Sequence, residues 1–288
     1  MNYQNFIEDI RTQMALRLAD KEQLRIESML RNNGTTKVGL IIIQPDRNIA
    51  PTVYLEPYYN RYLAGDSLET ICEEIYTICK KYMPKENFDT TTYTDFSKVA
   101  PRVVMRLINQ RKNQELLQDI PHLPYMDMAI VFACLLEKED DQNWASILIR
   151  NEHLQLWDAS VDTLYALALE NSPKLLPLRV ANIWDIVEPM IPNYSTKPNL
   201  YMITNEARHY GASIILYPGV LDELAKQFNS GFLLLPCSIH EWLIIPGDQS
   251  YRDYYAHMVD EVNRSDLPRE ELLSYQVLYY DKDEGKLL

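Results

Sequence analysis

The sequence predicts an α+β protein with mixed or antiparallel sheets and repeated hairpin–helix units. Short apolar runs are separated by Asn, Asp, Gly and Pro, which is typical of strands joined by tight turns. Amphipathic stretches with a helical period follow these runs. The chain has 288 residues, 47% of them hydrophobic and 24% charged, so it is large enough to bury a full core without disulfides or metal ions.

The N-terminal part predicts a helix, a hairpin and further helices. The predicted elements are a helix over 3–18, strands over 24–30, 38–43 and 51–55, a turn over 32–34, a helical region over 57–64 and a helix after Ser67. The turn reads Asn-Asn-Gly, which tolerates positive φ. Ser67 is a good N-cap. Asp95 is expected to cap another helix, which Pro101 interrupts before the apolar pairs at 103–104 and 107–108.

The rest of the chain repeats this pattern. The predicted elements are a strand over 126–136, an acidic turn over 137–143, a return strand over 144–149, a helix over 151–157, a Ser160-capped helix that Pro173 ends, strands over 200–204 and 214–217, a helix over 218–228, strands over 232–235 and 242–245, a helix near 251–263 and a strand near 275–280. Gly231 is expected to end the predicted helix over 218–228.

Two stretches of sequence match at a spacing of 94 residues. Residues 51–68 line up with 145–161, with one residue of slippage. Each reads as the end of a hairpin, a short helix and a Ser-capped amphipathic helix. We therefore expect 38–80 and 130–172 to superpose with the same connectivity, and 213–218 is a weaker third copy. The alternative is that such units are common in α+β proteins and align by chance.

Proline clustering gives the best domain boundary. Five prolines fall within 173–198, among apolar residues that would be costly to leave in water. We expect a packed crossover there. The predicted division is 1–122 with the first hairpin–helix unit, 123–198 with the second unit and the crossover, and 199–288 as a C-terminal α+β unit, packing as one or two domains.

The net charge and the positions of the cysteines limit the classes of function that are possible. The 28 Lys and Arg against 41 Asp and Glu give a net charge of −13, which argues against direct binding to nucleic acid or an anionic membrane. No run of 18 apolar residues and no signal-peptide pattern is found. The four cysteines lie in apolar or helical runs without metal-site spacing, so we expect reduced thiols and a cytoplasmic location.

One short segment carries catalytic residue types. Nucleotide-binding glycine motifs, His-Glu-x-x-His and Gly-x-Ser-x-Gly are absent, so no cofactor and no metal is expected. In a hydrolase, Cys237 or Ser238 would be the nucleophile, His240 the base and Glu241 the orienting group. The alternative is a turn in which Ile239 packs inward and the polar side chains satisfy backbone groups. We favour the turn, and hence a protein that is not an enzyme.

Tyrosine provides the candidate contact surface. The chain has 20 tyrosines against 6 phenylalanines, and tyrosine combines apolar area with a polar tip. The candidate interface residues are Tyr58, Tyr59, Tyr62, Tyr251, Tyr254 and Tyr255. The alternative is a tyrosine-rich periphery of the core.

Several segments together resemble a bacterial family of unknown function. They are Asn-Asn-Gly at 32–34, Asn-Ile-Ala-Pro-Thr-Val-Tyr-Leu at 48–55, Arg-Leu-Ile-Asn at 106–109, Leu-Leu-Glu at 135–137 and Leu-Pro-Cys-Ser-Ile-His-Glu at 235–241. Members carry a Leu-Pro-Ser-Ser-Ile-His-Glu type signature, in which Cys237 replaces a serine here. The resemblance implies an accessory protein of a mobile element and supplies no activity.

Together these observations favour a non-enzymatic cytoplasmic interaction or accessory protein with an unknown protein partner. Two alternatives stay open. One is an acidic anti-defence protein that mimics nucleic-acid charge. The other is a hydrolase centred on His240.

Overall fold

The computed structural model describes residues 2–87, 89–136, 146–187, 199–265 and 267–288. They form two compact units. The first takes in Met1–Arg31 and Thr35–Thr90, and the second Asn32–Gly34 and Thr91–Leu288. Helices combine with sheets in which every strand pairing of the described residues is antiparallel. The predicted α+β class is confirmed.

The first unit packs helices against a three-stranded sheet of order β1-β2-β3. Its elements are α1 (Tyr3–Ala15), β1 (Gln23–Leu30), β2 (Thr36–Ile43), β3 (Thr52–Tyr54), α2 (Glu56–Leu63) and α3 (Leu68–Lys81). The predicted apolar face of α1 is buried, and Phe6 packs in one core with Leu40 of β2 and Ile71 of α3. The fold of this unit therefore follows its helical and strand periodicities.

The second unit contains two sheets. Its elements are α4 (Thr91–Thr94), α5 (Phe96–Val99), β4 (Val103–Asn109), α6 (Leu116–Asp119), β5 (His122–Tyr125), β6 (Met128–Leu135), β7 (Ser146–Leu148), α7 (Asn151–Trp157), α8 (Val161–Leu175), β8 (Leu178–Asn182), α9 (Ile183–Val187), β9 (Tyr201–Asn205), α10 (Val220–Phe228), β10 (Phe232–Pro236), β11 (Trp242–Pro246), α11 (Arg252–Ser265), β12 (Leu278–Asp281) and β13 (Lys286–Leu287). Short 3₁₀ segments occupy Asn32–Gly34, Ala100–Arg102, Arg111–Asn113, Gly211–Leu216, Gln249–Tyr251 and Arg269–Glu271.

Both sheets of the second unit contribute to one core. In the smaller sheet β6 pairs with β4, β5 and β7, and the larger sheet has the order β13-β12-β10-β11-β9-β8. Phe132 of β6 and Trp242 of β11 belong to the same buried cluster. This shared core is what holds the turn between β10 and β11 in place.

The predicted repeat is present with the same register in both copies. In the first copy, residues 39–41 pair with residues 54–52. In the second copy, residues 133–135 pair with residues 148–146. Each paired position in the second copy therefore lies 94 residues after its counterpart in the first. The amide that follows each short strand donates to its hairpin partner at 2.9 Å, from Leu55 to Val38 and from Ile149 to Phe132. The two copies then continue as α2–α3 and α7–α8. The prediction of repeated hairpin–helix units is confirmed.

The same helix cap recurs in the two copies. Ser67 Oγ accepts the amide of Thr70, and Ser160 Oγ accepts the amide of Thr163, both at 3.1 Å. The repeat therefore extends to the residue type that begins its long helix.

Three local predictions are wrong. The helix capped by Asp95 ends at Val99, and 103–109 forms β4, whose seven residues are all buried. A strand covered on both faces lacks alternation, so its pattern resembles a buried helix. The segment 214–217 lies mostly in a 3₁₀ segment, so the third copy lacks its strand. Helix α8 continues through Pro173 to Leu175, because a proline in the last turn removes only one hydrogen bond.

Several predictions fall partly outside the described residues. The acidic turn at 137–143 lies outside them, as does the crossover from 188 to 198. Within the described part of that crossover, β8 and α9 replace the predicted irregular structure. The three-part domain division stays a prediction; its boundary at 122/123 falls within β5, inside the second unit.

Candidate functional site

The segment with catalytic residue types is the tight connection between β10 and β11. Residues 237–241 close this hairpin after the Pro236–Trp242 pair. The amides of Cys237 and Ser238 both donate to the Glu241 carbonyl at 3.3 Å. The Ile239 amide donates at 2.8 Å to the carbonyl of Glu271. Backbone hydrogen bonds therefore define the shape of this turn.

The side chains of the turn face the core or one another. Ile239 is buried, as the sequence predicts, and Trp242 is buried beside the turn as well. Ser238 is buried as well, and its hydroxyl accepts the amide of His240 and donates to Glu241 Oε1, each at 3.0 Å. This arrangement is a local side-chain-to-backbone motif that stabilises a turn.

His240 connects the turn to a second segment. Its Nδ1 accepts the amide of Tyr210 at 3.0 Å, and its carbonyl accepts the Thr204 hydroxyl at 2.8 Å. Tyr210 has a φ of 52°, and the next residue, Gly211, lies so close that an added Cβ would sit 2.5 Å from the His240 carbonyl oxygen. The His240 imidazole therefore stabilises the left-handed backbone of Tyr210 at the point where the two segments approach closely.

These contacts favour the structural interpretation over the catalytic one. The Ser238 hydroxyl donates its proton to Glu241 and not to a histidine, and Nδ1 of His240 already accepts the backbone amide of Tyr210. Burial, followed by the neighbouring Glu241, raises the pKa of Cys237 to about 12, whereas a nucleophilic cysteine needs a thiolate. Among the described residues no hydrogen bond joins the Ser238 hydroxyl to the His240 ring. A hydrolase centred on His240 stays a prediction.

Two residues near His240, Arg106 and His209, are not among the predicted site residues. Arg106 of β4 is 8% exposed and its guanidinium lies 3.9 Å from the centre of the Tyr210 ring. His209 is exposed as a residue, but its ring packs on Tyr210 and lies 5.3 Å from that of His240. Partial burial first, and then Arg106 and His240, lowers the pKa of His209 to about 4. At neutral pH this histidine is therefore uncharged.

The two candidate tyrosine clusters differ in exposure. Tyr58 is buried, and Tyr59 and Tyr62 pack against Phe6 in the core of the first unit. Tyr255 is half-buried against the core beneath α11.

Tyr251, the last residue of the 3₁₀ segment before α11, and Tyr254 begin an exposed apolar row that continues along α11. Tyr251, Tyr254, Met258 and Val262 are 63%, 62%, 43% and 47% exposed, and their spacing places them on one helical face. We call these four residues the α11 stripe. Another side of the same helix buries Val259 and Asn263. The sequence of α11 has apolar residues on two sides of the helix, and one side alone can face the core. This pattern could have added Met258 and Val262 to the predicted interface.

Within the described residues, no group of three or more His, Cys, Asp or Glu side chains has an arrangement that could hold a metal ion. In the same part of the chain, no helix is both long and apolar enough to cross a membrane.

Comparison with known proteins gives one result. Neither the curated proteins nor the solved structures contain a match. A family model described as "Family of unknown function (DUF5688)" matches residues 3–282. That match covers nearly the whole chain, and the protein therefore belongs to the DUF5688 family.

Proposed function

We propose that this protein is a non-enzymatic protein-binding module whose contact surface is the α11 stripe. The observation that supports this is the solvent exposure of four large apolar side chains in one row. Single exposed apolar residues are ordinary, but a contiguous patch marks an interaction surface. Tyrosine and methionine are among the residues enriched at the centres of protein interfaces.

The partner that fits this surface is an amphipathic helix. The stripe spans the twelve residues from Tyr251 to Val262, or about 16 Å at the rise of an α-helix. A row of apolar anchors at helical spacing matches the mode in which one helix packs on another. An interface of about three turns falls at the small, transient end of protein interfaces.

Charge favours a partner with basic flanks. Asp253 and Glu261, which adjoin Tyr254 and Val262 in sequence, are exposed on α11, and the chain carries a net charge of −13. Opposite charge on the partner would speed and orient docking. A second copy of this chain would instead bring two strongly acidic molecules together, which disfavours self-association.

The cellular setting belongs to the same proposal. The free state of all four cysteines in the structure supports a reducing, cytoplasmic location. The resemblance at 235–241 supports an accessory role in a bacterial mobile element. Within that role the partner is a protein with a basic helix, and direct contact with nucleic acid or membrane is not part of the proposal.

Site-specific photo-cross-linking in the native host tests this function. A photoreactive residue replaces Tyr254 or Met258 in turn, and the control replaces Tyr82, which is 61% exposed in the first unit. We expect both α11 positions, and not position 82, to cross-link one protein that carries a basic amphipathic helix. Cross-links to a second copy, to an acidic partner or to nothing would contradict the proposal.

A further inference from the structure

An open pocket lined mainly by polar residues lies on the second unit, between the segment after β4 and the β5–β6 hairpin. Its volume is about 560 Å³, and its lining residues are Gln110, Arg111, Gln114, Leu117, Gln118, His122 and Asp127. This volume falls within the range of small-molecule sites. The lining is unusual in combining three side-chain amides with a cation, an anion and a histidine.

Asp127 has an unsatisfied carboxylate oxygen. Its Oδ2 accepts the Ser274 hydroxyl at 2.7 Å, whereas Oδ1 is buried and has no hydrogen-bond partner among the described residues. A buried acceptor without a donor is costly in a folded protein. A bound group that carries an N–H or a positive charge would remove that cost.

The hairpin that presents Asp127 is strained. Met126 and Asp127 form its two-residue loop, and Met126 has a φ of 54°. A long, non-glycine side chain rarely adopts this conformation, and such strain persists where the surrounding structure enforces it. The backbone amide of Gln110 donates to the Asp127 carbonyl at 3.1 Å. This bond joins the loop to the segment after β4, which forms the other wall of the pocket.

Buried asparagines stabilise the segment after β4, which forms the other wall of the pocket. Asn113 Nδ2 donates to the Asn109 carbonyl at 2.8 Å, and Asn109 Nδ2 donates to the Leu273 carbonyl at 2.9 Å. Asn109 Oδ1 accepts the amide of Lys112 at 2.9 Å. These bonds fix the backbone of the short helical segment at Arg111–Asn113 and its flanking residues Gln110 and Gln114, so the backbone on this side of the pocket is preorganised.

The lining groups divide into acceptors and donors. His122 Nδ1 is 3.1 Å from the Ile120 carbonyl, which can only accept, so Nδ1 carries a proton and Nε2 of the neutral ring is an acceptor. Asp127 is a second acceptor. Arg111 donates, and the glutamine amides can also donate. We propose that the pocket binds a free α-amino acid, with its ammonium group at Asp127 and its carboxylate at Arg111 and the glutamines.

Isothermal titration calorimetry of the full chain with the common L-amino acids, one at a time, tests this site. We expect at least one to bind, and we expect ethylamine and acetate, which each carry one charged group, to bind far more weakly. Asp127→Asn, which keeps the shape and removes the charge, should weaken binding at least about tenfold.

Two further variants separate binding from folding. Asp119→Asn changes an exposed carboxylate outside the pocket lining and should bind as the unchanged chain does. Gln114→Ala changes an exposed lining residue, so it should weaken binding even if Asp127→Asn fails to fold. Absence of heat with every amino acid, unchanged affinity in folded Asp127→Asn or in Gln114→Ala, or an equal loss in Asp119→Asn would overturn the proposal.

Discussion

Replacing His240 by alanine should destabilise the second unit by removing one hydrogen-bond acceptor. The Tyr210 amide donates to His240 Nδ1 at 3.0 Å, and in His240→Ala this donor loses its partner. This hydrogen bond is partly buried, and leaving a buried donor without a partner costs about 1–3 kcal/mol. The bond from Thr204 to the His240 carbonyl uses the backbone and survives the change. We therefore expect the free energy of unfolding to fall by about 1–3 kcal/mol.

Urea denaturation followed by circular dichroism measures this loss. His240→Asn supplies an amide oxygen close to the position of Nδ1 and should recover most of the stability. Ile215→Val is the matched control, since trimming this buried side chain costs about 0.5–1.5 kcal/mol without touching the turn. Partner binding should follow stability alone in all three variants. If His240→Ala is as stable as the unchanged protein and yet loses its cellular activity, the turn is a functional site and the structural account fails.

Three further measurements test the fold. Ser67→Ala and Ser160→Ala should each lower the free energy of unfolding by about 1 kcal/mol, and unequal losses in chemical denaturation would show that the two caps are not equivalent. Thiol labelling of the native protein should be slow, because burial raises the pKa of all four cysteines; fast labelling of Cys237 alone would favour a reactive site. Burial is the main cause that lowers the pKa of His153 and His209, so the unfolded chain protonates first and stability should decline as pH falls below about 6.5. His153→Gln and His209→Gln should flatten that decline, and an unchanged pH profile would contradict it.

Much of the fold could be predicted because its signals are local. The repeat follows from short strands, serine caps and helical periodicity, and the structure reproduces the 94-residue offset of its strands at the level of single backbone hydrogen bonds. Two of the three errors fall where burial is nearly complete. In β4 and in the 3₁₀ segment at 211–216, nearly every residue is buried, and an apolar run without alternation does not distinguish strand from helix.

The candidate sites were less predictable because they depend on contacts between distant segments. His240 stood out as a residue type, but its partner Tyr210 lies thirty positions away in the chain. Asp127 carries no motif, and its unsatisfied oxygen is visible only once Ser274 is placed beside it. Both tyrosine clusters look alike in sequence, and only tertiary packing buries Tyr58 while leaving Tyr254 in water.

The affinity of the cross-linked partner for α11 variants tests the central claim most directly. In a titration of purified partner, Tyr254→Ala and Met258→Ala should each weaken binding about tenfold, which corresponds to about 1.4 kcal/mol. Their exposed positions should leave the free energy of unfolding nearly unchanged, and Tyr82→Ala should bind as the unchanged protein does. If both α11 variants bind with unaltered affinity, the stripe is not the contact surface and the proposed function is wrong.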